Sequence, residues 1–171
     1  MNEKPSAVTV RFPVRVRGKG VSFNMIKGII FDWVETLSHG KRELFPYTDK
    51  VLEELRGRGY KLGLISLAGH GNNNRKEDIE VTGIKKYFNS IIIDTKKDAE
   101  MYLRCMKEMG TTTKTTAIVD DRTVRGIKIG NELGCVTYWV MTPKYVHEVP
   151  TKETGEPTHR INTIEDLLKM L

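Results

Sequence analysis

The chain has 171 residues, of which 39% are hydrophobic and 29% are charged. This composition is typical of one globular domain with a sizeable core, and it excludes an intrinsically disordered chain. No apolar run approaches the roughly 20 residues that a membrane-spanning helix needs, and the N-terminus lacks the apolar segment of a secretory signal. We therefore expect a cytoplasmic protein without a membrane partner. Cys105 and Cys135 are not arranged as a CxxC pair and are interpreted as buried free thiols.

The net charge of +6 is unevenly distributed along the chain. Residues 1–24 contain five basic residues and one acidic residue, a net charge of +4, which leaves about +2 for the remainder. The bulk of the protein is therefore not expected to bind nucleic acid. Apolar residues occupy the even positions of 8–17, as in a strand, but Pro13 restricts such a strand to a sheet edge. We predict that residues 1–24 form a basic arm or edge strand beside a core of residues 25–171.

From Ile26 onward, segments with strand character alternate with segments of helical periodicity. Short apolar runs predict the strands, and apolar residues at helical spacing predict the helices. This alternation predicts an α/β fold, a three-layer, doubly wound parallel sheet with right-handed crossovers and no second domain. The predicted strands cover 26–32, 60–66, 90–94, 115–120, 136–140 and 159–161, and the predicted helices cover 48–57, 75–82, 97–109, 124–133 and the segment from about 164.

Two of the predicted strands end in aspartate. The first apolar run leads into Asp32, and the run of residues 117–119 leads into Asp120 and Asp121. Ligands of open α/β sheets bind at the carboxyl ends of the strands. If these two strands are neighbours, their carboxylates can converge on one metal ion and one phosphoryl group. The alternative for each aspartate is a capping role in a turn or at a helix start.

Four segments, in this order, resemble the motifs of the haloacid dehalogenase-like (HAD) hydrolase superfamily, over about residues 26–171. Residues 31–37, FDWVETL, are similar to the first motif, DxDxT. Residues 64–66, LIS, resemble the second motif, an apolar strand that ends in Ser or Thr. Residues 95–98, TKKD, lie where the third motif supplies a lysine, and residues 119–121, VDD, resemble the fourth motif.

The resemblance implies a Rossmann-like core that hydrolyses phosphate esters in two steps. It implies that Asp32 attacks phosphorus and forms an aspartyl-phosphate. It also implies Mg²⁺ as the cofactor, because a hard cation must offset the repulsion between this carboxylate and a phosphate. The implied metal ligands are Asp32, the backbone carbonyl of Val34, Asp121, and Asp120 either directly or through water.

The resemblance also implies roles for three further residues in catalysis and substrate binding. Ser66 would donate a hydrogen bond to a phosphoryl oxygen. Lys96 would hold Asp32 and the transferring group, adding positive charge where negative charge gathers. Lys97 is the competing candidate for this lysine. Thr36, in the first motif, is assigned to substrate binding together with Ser66 and Lys96.

Val34 departs from the family pattern. The residue two positions after the nucleophile is usually an aspartate that protonates the leaving group, and valine cannot transfer a proton. General acid–base catalysis contributes about 10²- to 10⁴-fold, so we expect slow turnover. Glu35 is an alternative proton donor, although it occupies a different direction on the turn. The DWxxT string is similar to that of phosphonatases, which makes a phosphonatase- or dehalogenase-like hydrolase an alternative function.

The intervals between the motifs leave no room for a cap domain. Neither 38–45 nor 67–95 exceeds what the sheet connections themselves need. A phosphonatase requires a lysine on an inserted cap, and a dehalogenase requires a closed apolar pocket, so the resemblance favours an uncapped phosphatase. Its substrate would be a phosphorylated small molecule or macromolecule. The competing hypothesis is an inactive binding or scaffold protein of the same fold, in which the basic arm forms a homo-oligomer or binds an anionic partner.

Overall fold

A computed structural model of the chain describes residues 25–40, 42–68 and 74–171. The predicted arm, with its strand at 8–17, lies outside the described residues. The strands are β1 (Gly28–Phe31), β2 (Ser38–Gly40), β3 (Glu43–Leu44), β4 (Lys61–Leu67), β5 (Ser90–Asp94), β6 (Thr116–Asp120), β7 (Val136–Val140) and β8 (His159–Ile161). The helices are α1 (Thr48–Gly57), α2 (Arg75–Val81), α3 (Ala99–Met109), α4 (Lys128–Leu133) and α5 (Leu167–Met170).

Six of the strands form one parallel sheet in the order β5-β4-β1-β6-β7-β8. β1 lies in its interior, where Phe31 pairs with Leu64 of β4 and with Val119 of β6. The chain therefore winds from β1 in both directions, and helices cover both faces. This arrangement confirms the predicted three-layer, doubly wound fold. Its topology also places the ends of β1 and β6 side by side, as the positions of the aspartates require.

Alternate residues of β1 pack into two separate cores. Ile30 belongs to the cluster that includes Met101 and Cys105 of α3, whereas Ile29 and Phe31 belong to the cluster that includes residues of α1 and α5. All three isoleucine and phenylalanine side chains of this strand are fully buried. A central parallel strand is covered on both faces, which explains why its sequence is a continuous apolar run rather than an alternating one.

The connecting elements differ in detail from the predicted ones. The segment after β1 contains a short antiparallel hairpin, β2 and β3, where the sequence predicts only a loop. The predicted helix 124–133 is a turn of π-helix, Thr123–Ile127, continued by α4. Short 3₁₀ turns cover Ile84–Tyr87, Thr113–Thr115 and Ile164–Asp166. No helix in the described part of the chain has the length and apolar character required to cross a membrane.

Candidate active site

Asp32 is the first residue beyond β1, at the carboxyl edge of the sheet. Its backbone N–H donates to the carbonyl of Val119 (3.0 Å), which extends the pairing with β6 by one residue. The chain then turns sharply, because the carbonyl of Trp33 accepts from the N–H groups of Leu37 (3.0 Å) and Ser38 (3.1 Å). The ring of Trp33 is buried beneath the turn. The turn therefore leaves the Asp32 carboxylate at the sheet edge, and the Asp32 side chain is 15% exposed.

The three aspartates predicted from the strand ends lie together. One carboxylate oxygen from each of Asp32, Asp120 and Asp121 lies within 4.8 Å of the others. Asp120 ends β6 and is buried, and its Oδ1 accepts from the backbone N–H of Arg122 (2.8 Å). Asp121 is also buried, and its carbonyl accepts from the indole N–H of Trp139 (3.0 Å).

The lysine beside these carboxylates is Lys97, and the assignment of Lys96 is wrong. Lys97 Nζ lies 2.6 Å from Asp32 Oδ1 and 2.7 Å from Asp120 Oδ2, and its side chain is only 4% exposed. The Lys96 side chain is 71% exposed and pairs with Asp98 (2.7 Å), the residue that caps the N-terminus of α3. The two lysines are adjacent in the chain just before α3, but one side chain is exposed and pairs with the helix cap, whereas the other is buried among the carboxylates.

Burial and charge together set the protonation of this cluster. Burial would lower the pKa of Lys97, but the carboxylates of Asp120 and Asp32 hold that pKa well above its usual value. Burial raises the pKa of Asp32, an effect that the Lys97 ammonium opposes. Burial, followed by the charges of Asp120 and Asp32, raises the pKa of Asp121 to about 9. Asp121 is thus the carboxylate of the cluster that lacks a compensating cation.

The cluster has the features of a divalent cation site. Oδ2 of Asp121 is buried and has no hydrogen-bond partner. A buried, unpartnered carboxylate oxygen is costly, and a cation would relieve both its desolvation and its repulsion from the neighbouring carboxylates. Hard oxygen donors from Asp32, Asp120 and Asp121 suit Mg²⁺. Val34, whose backbone carbonyl is the fourth predicted ligand, lines the same cavity.

A cavity of about 220 Å³ opens over these residues. It contains Ser66 at the end of β4, where the second predicted motif places it, and the hydroxyl of Ser66 donates to the carbonyl of Leu67 (3.1 Å). The cavity is lined by Asp32, Val34, Ser66, Leu67, Ala68, Arg75, Asp120, Asp121, Arg122, Arg125 and Tyr145. Polar and charged side chains therefore dominate its wall.

Two residues of the first motif lie away from this cavity. Thr36, predicted to bind substrate, is 1% exposed and is not among the lining residues, so the structure does not bring it to the cavity. The turn after Asp32 buries its side chain instead. Glu35, the alternative proton donor, adopts a left-handed backbone conformation (φ 61°) and lies 3.6 Å from Lys144. It is not among the described residues that line the cavity, so Glu35 does not take the place of the aspartate that is missing at Val34.

Four lining residues with polar or charged side chains were not predicted from the sequence, namely Arg75, Arg122, Arg125 and Tyr145. Arg75 follows β4, the two other arginines follow β6, and Tyr145 follows β7. All four therefore lie on connections at the carboxyl edge of the sheet, where ligands bind. Basic residues shortly after the carboxyl end of a predicted strand were the available signal. These positions match none of the four motifs, so the resemblance does not identify them.

The comparisons with known proteins agree with this geometry. Residues 10–140 match the family model of the haloacid dehalogenase-like hydrolases. The glyceraldehyde 3-phosphate phosphatase of Methanocaldococcus jannaschii is 29% identical over 133 residues, which cover 74% of this chain and 56% of that protein. The chain therefore spans little more than half the length of this curated relative.

Solved structures share the fold at lower identity. A HAD phosphatase from Thermococcus onnurineus superposes with a TM-score of 0.61 at 21% identity, over 75% of this chain and 58% of that one. The D,D-heptose 1,7-bisphosphate phosphatase of B. bronchiseptica, solved with magnesium and phosphate, gives a TM-score of 0.69 at 12% identity, over 85% of this chain and 100% of that one. The match to the family model, together with the fold, shows that this chain belongs to the haloacid dehalogenase-like hydrolases.

Proposed function

We propose that this hydrolase is a Mg²⁺-dependent phosphatase that acts on phosphate monoesters through an aspartyl-phosphate on Asp32. The observation that carries the proposal is the convergence of Asp32, Asp120 and Asp121 with Lys97 at one sheet edge. The name of the archaeal relative, a glyceraldehyde 3-phosphate phosphatase, supports the same reaction class. The charged wall of the cavity argues against a dehalogenase, whose chemistry needs an apolar pocket.

In the proposed reaction, a carboxylate oxygen of Asp32 forms a bond to phosphorus while the bond from phosphorus to the ester oxygen breaks. The leaving alkoxide takes a proton from solvent water and departs as the alcohol, and the phosphoryl group remains on Asp32 as an acyl phosphate. Water then attacks this phosphorus and loses a proton to the solvent, which releases inorganic phosphate and regenerates the Asp32 carboxylate. Two displacements of moderate difficulty thus replace one difficult attack by water.

Three neighbouring groups would assist both steps. The Lys97 ammonium holds Asp32 in place and contributes a fixed positive charge beside the reacting atoms. Ser66, once its hydroxyl turns from the Leu67 carbonyl, donates to a phosphoryl oxygen. Asp32, Asp120, Asp121 and the backbone carbonyl of Val34 would hold Mg²⁺, which when bound offsets the negative charge of the phosphoryl group.

The test is a phosphatase assay with p-nitrophenyl phosphate, whose leaving group departs without a proton. We expect activity that requires Mg²⁺, is removed by chelation, and is abolished by the nearly isosteric change Asp32→Asn. Mg²⁺ should also raise the thermal unfolding midpoint of the unmodified protein but not that of Asp121→Asn, because this variant lacks the unpartnered carboxylate. Absence of activity over a broad panel of phosphate esters would instead support the scaffold hypothesis.

Val34 provides a second prediction. Without a proton donor at this position, the enzyme should hydrolyse alkyl phosphates far more slowly than aryl phosphates. Val34→Asp should raise the turnover of glycerol 3-phosphate at least about tenfold, because general acid catalysis is typically worth more than that. Val34→Asn is the matched control, since asparagine has nearly the shape of aspartate but cannot act as a general acid at neutral pH. Equal rates for the two variants would contradict a missing general acid.

A further inference from the structure

The cationic side chains in and beside the cavity differ in whether the protein already neutralises them. Lys97 lies between Asp32 and Asp120. The Arg75 guanidinium is 3.7 Å from Asp78, and Nη2 of Arg122 forms an ion pair with Glu148. Each of these cations has a carboxylate partner that keeps it in place.

Arg125 is different. It lines the cavity and is exposed, and it forms neither an ion pair nor a side-chain hydrogen bond with any other described residue. Its backbone N–H donates to the carbonyl of Arg122 (3.3 Å), and its carbonyl accepts from the backbone N–H of Lys128. A guanidinium presents several N–H donors in one plane and binds carboxylates and phosphates with two parallel hydrogen bonds. Arg125 is therefore available for an anion that enters the cavity.

The strand order places Arg125 on the opposite side of Asp32 from the predicted phosphoryl contacts. β1 lies between β4 and β6. Ser66 and Arg75 come from the end of β4 and the connection after it, whereas Arg125 comes from the connection after β6. A phosphoryl group bound at Asp32 and Ser66 would therefore have the connection that carries Arg125 on its other side.

The wall around Arg125 is ordered by its own contacts. The Arg122 guanidinium carbon lies 4.0 Å from the centre of the Tyr145 ring, and Tyr145 lines the cavity as well. The Arg122 guanidinium also forms an ion pair with Glu148. The β6 and β7 side of the cavity thus places the unpaired guanidinium of Arg125 beside an arginine and a tyrosine that hold each other in place, and no described residue supplies an acceptor for it.

We propose that the ester hydrolysed at this site carries a second anionic group, a carboxylate or a second phosphate, and that Arg125 binds it. The inference rests on the proposed phosphatase function. The cavity of about 220 Å³ is smaller than the roughly 300–1,000 Å³ typical of drug-sized ligands, so the part of the ester that enters it is small. The aldehyde named in the archaeal relative has no second anionic group. The preference would therefore distinguish this chain from that relative.

The experiment compares esters that share a three-carbon skeleton. Glyceraldehyde 3-phosphate has a neutral terminus, 3-phosphoglycerate has a carboxylate, and propane-1,3-diol bisphosphate has a second phosphate. For at least one of the two esters with an anionic terminus, we expect kcat/KM to exceed that for the aldehyde about tenfold. We expect Arg125→Gln to remove most of this preference. The ester that shows the larger preference identifies which anion is recognised.

Lys128→Gln is the matched control. Lys128 also lies on the segment after β6, but it pairs with Glu153 and does not line the cavity. This variant removes one positive charge and should keep the preference, which separates direct contact from a general field effect. Equal kcat/KM values for the three esters would overturn the proposal, as would an equal loss for all three in Arg125→Gln.

A binding measurement keeps this inference separate from the phosphatase proposal. Titration calorimetry of Asp32→Asn with 3-phosphoglycerate, the bisphosphate and glyceraldehyde 3-phosphate, in the presence of Mg²⁺, measures the same preference without turnover. Hydrolysis of p-nitrophenyl phosphate without any preference among the esters refutes only the second anionic group. If the unmodified protein hydrolyses no ester, but Asp32→Asn shows a binding preference that Arg125→Gln removes, only the phosphatase proposal is refuted.

Discussion

Lys97 lies between two carboxylates, Asp32 and Asp120, and neutralises charge that the protein would otherwise bury uncompensated. Like charges at this distance repel strongly in a poorly hydrated environment. The same ammonium lies beside the predicted nucleophile. Its structural role and its proposed catalytic role therefore depend on the same two contacts.

This position leads to a prediction for the two adjacent lysines. Lys97→Met should lower the free energy of unfolding by about 3 kcal/mol, because it breaks a buried ion pair and leaves the carboxylates behind. It should also reduce kcat/KM for p-nitrophenyl phosphate by at least about 100-fold. Lys96→Met, the matched control, removes an exposed ammonium group and should change both quantities little. Denaturant titration and steady-state kinetics check these values, and the reverse order of effects would contradict the assignment.

The sequence predicted the residue types of the site more reliably than their individual positions. Asp32, Asp120 and Asp121 could be identified because each follows an apolar strand. The choice between Lys96 and Lys97 depends on where α3 begins and on the side-chain pairing of Lys96 with Asp98. Such local geometry is set by packing within the folded protein. A motif match therefore does not decide which of two adjacent lysines contacts Asp32.

The π-helical turn after β6 holds Asp120 in place. A Cβ atom on Gly126 of this turn would lie 2.2 Å from Oδ2 of Asp120 and 2.7 Å from its Cβ. Glycine is therefore needed here for close approach rather than for an unusual backbone angle. The turn lies against the carboxylate, so the element that follows the strand fixes the side chain at the end of the strand.

Gly126→Ala should accordingly weaken the site. The added methyl group must displace the Asp120 carboxylate or the turn, at a cost of about 1–3 kcal/mol in the free energy of unfolding. The affinity for Mg²⁺, measured by titration calorimetry, should fall in parallel. Gly57→Ala is the control, since nothing lies within 4 Å of its added methyl group at the end of α1. That change should be neutral or stabilise the helix by up to about 1 kcal/mol.

Elements were predictable to the extent that their residues are buried in a regular pattern. α1 has the predicted bounds, 48–57, because Val51, Leu52 and Leu55 form one buried face. The hairpin of β2 and β3 was missed because its strands contain only three and two residues. Strands this short show no alternation that could be recognised in the sequence.

At the scale of the whole molecule, the alternation of strand and helix predicted the fold class but not the strand order. The order β5-β4-β1-β6-β7-β8 depends on which apolar faces pack together across the sheet. The resemblance of four motifs supplied what the periodicity could not, because it implied that their residues meet at one edge. Contacts made by residues outside the motifs, such as Arg125, were predicted by neither argument.

The whole-molecule prediction concerns residues 1–24. Within the described part of the chain, residues 28–161 contribute the strands of the six-stranded sheet, and the lining residues of the cavity lie between residues 32 and 145. A protein of residues 25–171 should therefore unfold cooperatively near the temperature of the full chain and keep its Mg²⁺-dependent activity. The family match begins at residue 10, inside the proposed arm, so the deletion is a direct test of this boundary. Loss of cooperative unfolding in this shortened protein would show that residues 1–24 are part of the folded core.

Under the proposed Mg²⁺ dependence, the position of the Lys97 ammonium has a consequence for how the protein responds to a shortage of magnesium. Two of the three clustered acids already have an internal counter-ion, and the raised pKa of the third, Asp121, lets it bind a proton at neutral pH when no cation is bound. Scarcity of the ion would then silence the enzyme while sparing its architecture. Supply of the ion would restore activity at once, without renewed synthesis or refolding.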